Sequence, residues 1–199
     1  LAKVVQKNLK GAKPVKIFKS YGTAMVQWNQ ILIEFVGSRK ESYSKGSRNP
    51  KVEPGTLEDD QNRRDFSINT MAISLNQESF GALLDPFDGI SDLKQKILRT
   101  PLNPDLTYSD DPLRMLRAIR FSNELDFVID EKSLLAISKN ANRINIVSKE
   151  RVLEELTKIL TTDKPSIGFI LLEKTGLLEF ILPELCALRG IDEIEGKKH

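Results

Sequence analysis

SDDPLRMLRAIRF, residues 109–121, is the stretch that decides how this chain is read. At 100° per residue, with Asp111 at zero, Arg114 falls at roughly 300°, Arg117 at 240°, Phe121 at 280° and Ala118 at 340° on a helix. These four share one arc with Asp111. Leu113, Leu116 and Ile119 occupy the opposite arc, from roughly 80° to 200°, which is expected to face the core. Arg120 falls among them at roughly 180°, so it either snorkels out or meets a partner in the core.

Outward from this stretch the chain divides near residue 104. After it, helical patterns run over residues 108–125, 130–140, 148–160 and 164–172, with Asp130 and Ser148 as N-caps and Pro165 in a first turn. Before it, Thr23 to Trp28 and Ile31 to Val36 read as strands joined by a tight hairpin at Asn29-Gln30. Residues 37–55, GSRKESYSKGSRNPKVEPG, have the composition of a mobile loop. Helical LEDDQNRR, apolar FSINTMAISL, a turn at DPFDG and a short helix from Ser91 follow. The expected class is α+β, with a mixed part over 1–104 and an all-α part over 105–199.

The 199 residues suffice for a core, and the net charge is only +2. Six lysines (Lys3, Lys7, Lys10, Lys13, Lys16 and Lys19) precede the first acid, Glu34. They form either a solvated face or one that meets phosphate. Cys186 and His199 are the only cysteine and histidine, which excludes an internal disulfide and a Cys/His zinc cluster and fits a reducing cytoplasm. No apolar run approaches the roughly 20 residues of a membrane span, so no membrane partner is expected.

RRDFSIN gathers Arg63, Arg64, Asp65 and Asn69. Adjacent arginines can chelate phosphate oxygens, and Asp65 with Asn69 suits a ribose hydroxyl. The alternative is pairing of both arginines with Glu58, Asp59 and Asp60 on a solvated helix. Asp111 and Arg114, one turn apart on a helix, form either an intrahelical salt bridge or a template for a base. Adenine and cytosine offer an amino donor beside a ring-nitrogen acceptor, which an Asp and an Arg complement. Such a template selects ATP and CTP over GTP and UTP.

Together these segments resemble the class II tRNA nucleotidyltransferases, which add CCA to tRNA, and the related bacterial poly(A) polymerases. RRDFSINTMA is similar to the family's RRDFTINAMA. LLDPFDGISDLKQKILRT resembles its DPFGG segment, DDPLRMLRAIRFSNELDFVID its base-reading and neck motif, and SKERVLEELTKIL its later neck helix. The resemblance implies the remainder of a nucleotidyltransferase head sheet followed by a helical neck. It also implies transfer of AMP or CMP to a tRNA or other RNA 3′ end. In that reading Arg64 meets the triphosphate, Asp65 the ribose, and Asp111 and Arg114 the base with help from Arg117. Asp110 stands where many relatives carry Glu, and residues 37–55 correspond to a flexible loop associated with nucleotide switching.

The family's metal carboxylates lie in a GGxVRD segment and a DxD pair, which LAKVVQKNLKGAKPVKIFKSYG does not contain. Mg²⁺ is therefore expected in the intact enzyme, its ligands upstream of Leu1, with Glu34 an auxiliary acid at most. The chain alone is expected not to polymerise. LPELCALRGIDEIEGKKH resembles a junction that in some relatives leads into an HD-type phosphohydrolase domain. A non-catalytic RNA-binding module is the competing reading.

Overall fold

The structure, a computed structural model, describes residues 1–18, 22–43 and 50–190, with the backbone of two further strands, Glu193–Ile194 and Lys197–Lys198. Lys19, the centre of the expected loop at 44–49 and His199 lie outside the described residues. The chain forms two compact units, Leu1–Lys40 with Val52–Asp60, and Glu41–Lys51 with Gln61–His199.

In the first unit, helix α1 (Ala2–Asn8) precedes a three-stranded antiparallel sheet of β1 (Lys16–Phe18), β2 (Thr23–Trp28) and β3 (Ile31–Val36). Trp28 pairs with Ile31 across the two-residue turn, where Asn29 takes φ 53°, a conformation asparagine tolerates. The hairpin agrees with the sequence expectation; α1 was not signalled by its lysine-rich composition. Val26 is the wholly buried residue of β2.

The loop expectation needs correction at its flanks. Arg39–Ser42 (β4) and Lys51–Pro54 (β5) are paired strands, so backbone hydrogen bonding orders a segment whose composition suggested none. Helix α2 (Leu57–Asn62) follows; Thr56 and Asp59 satisfy its start reciprocally, Thr56 N donating to Asp59 Oδ2 and Asp59 N donating to Thr56 Oγ1.

The second unit continues through a 3₁₀ turn at Ser67–Asn69, a β6–β7 pair (Ala72–Ile73 with Leu83–Leu84) and α3 (Gly89–Gln95). Asp85 accepts from the N–H groups of Gly89 and Ile90 at 2.7 and 2.9 Å, tying down donors at the start of α3. A Cβ on Gly89 would lie 2.7 Å from the Ser67 carbonyl oxygen, so glycine permits α3 to seat against the 3₁₀ turn.

Next come β8 (Ile97–Leu98), α4 (Pro104–Asp110), α5 (Leu113–Leu125), β9 (Val128–Ile129), α6 (Glu131–Asn140), a 3₁₀ segment over Ala141–Ile146, α7 (Lys149–Leu160), α8 (Pro165–Lys174), α9 (Leu177–Ile181) and α10 (Pro183–Cys186). The β8–β9 pair is parallel and places one short strand inside the part expected to be all helical. Asp130 caps α6 by accepting from Ser133 N, whereas Ser148 precedes α7 without a side-chain cap bond. The core of this unit is centred on α5: Leu113, Met115, Leu116, Ala118 and Ile119 are buried with Ile137, Ile159, Leu172 and Leu177. Burying each large side chain contributes roughly 1.5–3 kcal/mol. Leu113, Leu116 and Ile119 face inward as the period requires, but Ala118 is also fully buried and leaves the polar arc.

The largest departure is at Asp111. The expected single helix over 108–125 is broken there: α4 ends at Asp110, and Asp111 is extended with φ −130° and ψ 95°. The ring of Pro112 disfavours a helical residue before it. Asp111 Oδ1 instead accepts from Leu113 N at 3.3 Å, an Asx turn that starts α5. Asp111 and Arg114 are therefore not neighbours on one helical face; they straddle a junction.

Candidate functional site

All the residues singled out in RRDFSIN and DDPLR lie in the second unit. Arg64 follows α2 and donates from Nη1 to the Asn69 carbonyl at 3.0 Å. Asp65 is buried. Its Oδ1 accepts from Phe66 N at 3.1 Å and from Asn69 Nδ2 at 3.0 Å. Its Oδ2 accepts from Arg117 Nε at 2.8 Å and Nη2 at 2.6 Å. A carboxylate has about four acceptor positions, and here four donors meet them. Sugar binding at Asp65 requires one of these donors to yield.

Arg63 turns toward the strand side. Its Nη1 lies 3.3 Å from Glu41 Oε1, and Tyr43 donates its hydroxyl to Glu41 Oε2 at 2.7 Å. Burial, reinforced by the bond to Glu41, pushes the Tyr43 phenol well above its ordinary range, so it stays a donor. Arg114 donates from Nη2 to the backbone carbonyl of Arg63, which joins α5 to the RRDF segment a second time. Asp110 is raised by burial, an effect opposed by Arg114 and Arg143.

Phe121 organises the arginines of α5. The Arg120 guanidinium lies 3.9 Å from its ring centroid and that of Arg117 5.1 Å, while Phe66 meets it edge-on at 5.7 Å. Such contacts each contribute about 0.5–1.5 kcal/mol. Arg120 resolves the choice posed by its helical position. It finds partners, donating from Nε to Glu155 Oε2 and from Nη1 to Glu124 Oε2, both at 2.7 Å. Burial works against the Arg120 charge, but those two carboxylates hold its pKa above the ordinary value.

Glu34 is exposed on β3, opposite Met25 in the first unit. Among the described residues no group of three or more His, Cys, Asp or Glu side chains is arranged to hold a metal ion. The carboxylates of the described residues do not fit such a site. No described helix is long and apolar enough to cross a membrane, and Cys186 is a free thiol. Sequence reasoning missed Glu41 and Tyr43, which lay in the supposed loop, and Arg143, which belongs to no motif. The spacing of 22 residues between Glu41 and Arg63 gives no local signal of their pairing.

Residues 1–99 match the family described as "Poly A polymerase head domain", and residues 126–188 match "Probable RNA and SrmB- binding site of polymerase A". The chain is 37% identical over 167 residues to an A-adding tRNA nucleotidyltransferase of Aquifex aeolicus, a match covering 83% of this chain and 20% of that one. It is 34% identical over 183 residues to a CCA-adding enzyme of Bacillus velezensis, covering 91% and 44%. Among solved structures, a tRNA nucleotidyltransferase complexed with a primer tRNA and an incoming ATP analog superposes with TM-score 0.75 at 30% identity, covering 96% of this chain and 55% of that one. An apo CCA-adding enzyme superposes with TM-score 0.82 at 27% identity, covering 98% and 49%.

Fold and matches define the class as nucleotidyltransferase, an α+β head followed by a helical neck. Within that class the chain belongs to the class II tRNA nucleotidyltransferase and poly(A) polymerase family. It spans from a fifth to just over half the length of these relatives. Nucleotidyltransferases of this family generally use metal ions.

Proposed function

We propose that this chain carries the nucleotide-reading part of a cytoplasmic enzyme that transfers AMP or CMP from ATP or CTP to the 3′ end of tRNA. The observation that carries the proposal is the double junction of α5 with RRDF, Arg117 on Asp65 and Arg114 on the Arg63 carbonyl. It draws the proposed sugar and base readers together. Asp111 accepts from the amino group of adenine or cytosine and Arg114 donates to the ring nitrogen. Arg64 binds triphosphate oxygens, with Arg63 beside it. Asp65 and Asn69 take the ribose, for which Arg117, with a side chain 32% exposed, is the partner best placed to yield. Mg²⁺ is proposed as the metal of the transfer; no described residue is assigned to it and no step is routed through it. The head is proposed to end near residue 104.

Equilibrium binding of the four ribonucleoside triphosphates tests the reading. ATP and CTP are expected to bind more tightly than GTP and UTP, and equal affinities would remove the base-reading assignment. The match of residues 126–188 to an RNA-binding family favours a second reading, a module that holds RNA without choosing a nucleotide. That module binds tRNA with steep salt dependence and shows no preference among the triphosphates.

A further inference from the structure

Arg143 lies in the 3₁₀ segment after α6, outside the motifs that carry the family resemblance. It is half-buried, and its neighbours Ala141 and Ile144 are anchored in the core. From there it donates Nε and Nη2 to a single acceptor, the Ser109 carbonyl, at 3.1 and 2.8 Å. Ser109 is in the last turn of α4, where carbonyls lack partners within the helix and a cation is favoured by the helix dipole. The other end of α4 is held by α6, the helix that leads into that 3₁₀ segment. Asp105 accepts from Lys139 Nζ at 2.8 Å and Asn140 Nδ2 at 3.2 Å, both on α6.

This grip bears on Asp111. With Pro112 holding it out of the helix, Asp111 is tied on one side to the start of α5, accepting from Leu113 N at Oδ1 and from Arg114 N at its carbonyl, and on the other side to the end of α4. The backbone bond from Asp111 N to Thr107 O is long, 3.4 Å, and restrains that end weakly. We propose that Arg143 is a positioning residue for base choice: by clamping the Ser109 carbonyl it fixes the last turn of α4, and with it the direction of the Asp111 carboxylate relative to Arg114. Base selection thus depends on a side chain beyond the head, within the segment matched to an RNA-binding family. The inference rests on Asp111 and Arg114 reading the base. A direct phosphate contact is the competing role for Arg143, but two of its five N–H donors are already committed to α4.

The experiment measures equilibrium binding of ATP, CTP, GTP, UTP and inorganic tripolyphosphate to the chain and to Arg143→Ala and Arg143→Lys, with thermal unfolding of each protein alone. Arg143→Ala is expected to lose about tenfold of the preference for ATP and CTP while tripolyphosphate affinity stays within about twofold. Arg143→Lys, which keeps the charge but not the planar fork that sets two donors on the Ser109 carbonyl, recovers part of the preference. A uniform drop across all five ligands, or an unchanged preference for ATP and CTP, overturns the proposal. If Arg143→Ala does not fold, Arg143→Lys and Arg143→Gln carry the same comparison, and full preference in both overturns it. Loss of all preference in the unsubstituted chain removes the base-reading assignment and this inference together. Retained preference in Arg143→Ala removes this inference alone.

Discussion

Arg117 sets both Nε and Nη2 on one oxygen of Asp65, at 2.8 and 2.6 Å. The two residues are 52 positions apart, so this bond joins the RRDF segment to α5. The carboxylate side chain is 10% exposed and the guanidinium 32%, a setting drier than a surface ion pair and wetter than a core one.

Asp65→Asn removes the charge and keeps the shape. It is expected to cost about 1–3 kcal/mol of stability in urea unfolding, as for hydrogen bonds to charged groups. Combined with Arg117→Met in a double-mutant cycle, it should show a coupling above about 0.5 kcal/mol. A coupling near zero would place the pair with ordinary surface salt bridges and sink its structural role.

The Arg120–Glu155 pair makes stability depend on acid. Burial disfavours the ionised Glu155, but bonds from Lys158 and Arg120 outweigh it and hold its pKa below the ordinary value of 4.5. The unfolded chain then binds the proton more readily than the folded one. The pair's contribution is thus fully present above pH 4.5 and lost as pH falls through the depressed folded value. Glu155→Gln is expected to flatten the fall in unfolding free energy as pH drops below the ordinary value of 4.5. An unchanged slope would show that other carboxyls carry it.

What the sequence made legible follows from the range of each signal. The β2–β3 hairpin and the inward face of α5 are set by local period and turn chemistry, and Leu113, Leu116 and Ile119 lie where the period puts them. The pairing of β4 with β5 is long-range and rests on backbone bonds, which composition does not encode. Arg120 was ambiguous because its partner, Glu155, is 35 residues away. Asp111 was misread for a local reason: the 100° rule was carried through Pro112, although proline restricts the residue before it. The proposed base and sugar readers come from motifs, but the four donors around Asp65 and the Glu41–Tyr43 support were visible only in three dimensions.

Gly89 is a site where one methyl group tests the packing under RRDF. A Cβ there would sit 2.7 Å from Ser67 O and 3.1 Å from Met71 Cγ. Backbone cannot turn aside as a side chain can, so Gly89→Ala is expected to lose about 1–3 kcal/mol. Because Ser67–Asn69 adjoins Asp65, nucleotide affinity should fall along with thermal stability. Normal stability would mean that α3 shifts without cost.

Pro112 separates the two geometries available to Asp111. With proline in place, Asp111 is extended and caps the start of α5 through Leu113 N. Pro112→Ala removes the steric bar and supplies an N–H, so α4 and α5 are free to run on as one helix through Asp111. The carboxylate then moves onto the helical face of Arg114, where it pairs within the helix at i, i+3. Circular dichroism is expected to register a small gain in helix, and the preference for ATP and CTP should fall while tripolyphosphate binding holds. If helix content rises and the preference survives intact, a plain helical Asp–Arg pair is a sufficient reader. The break at Pro112 would then serve chain direction and not base choice.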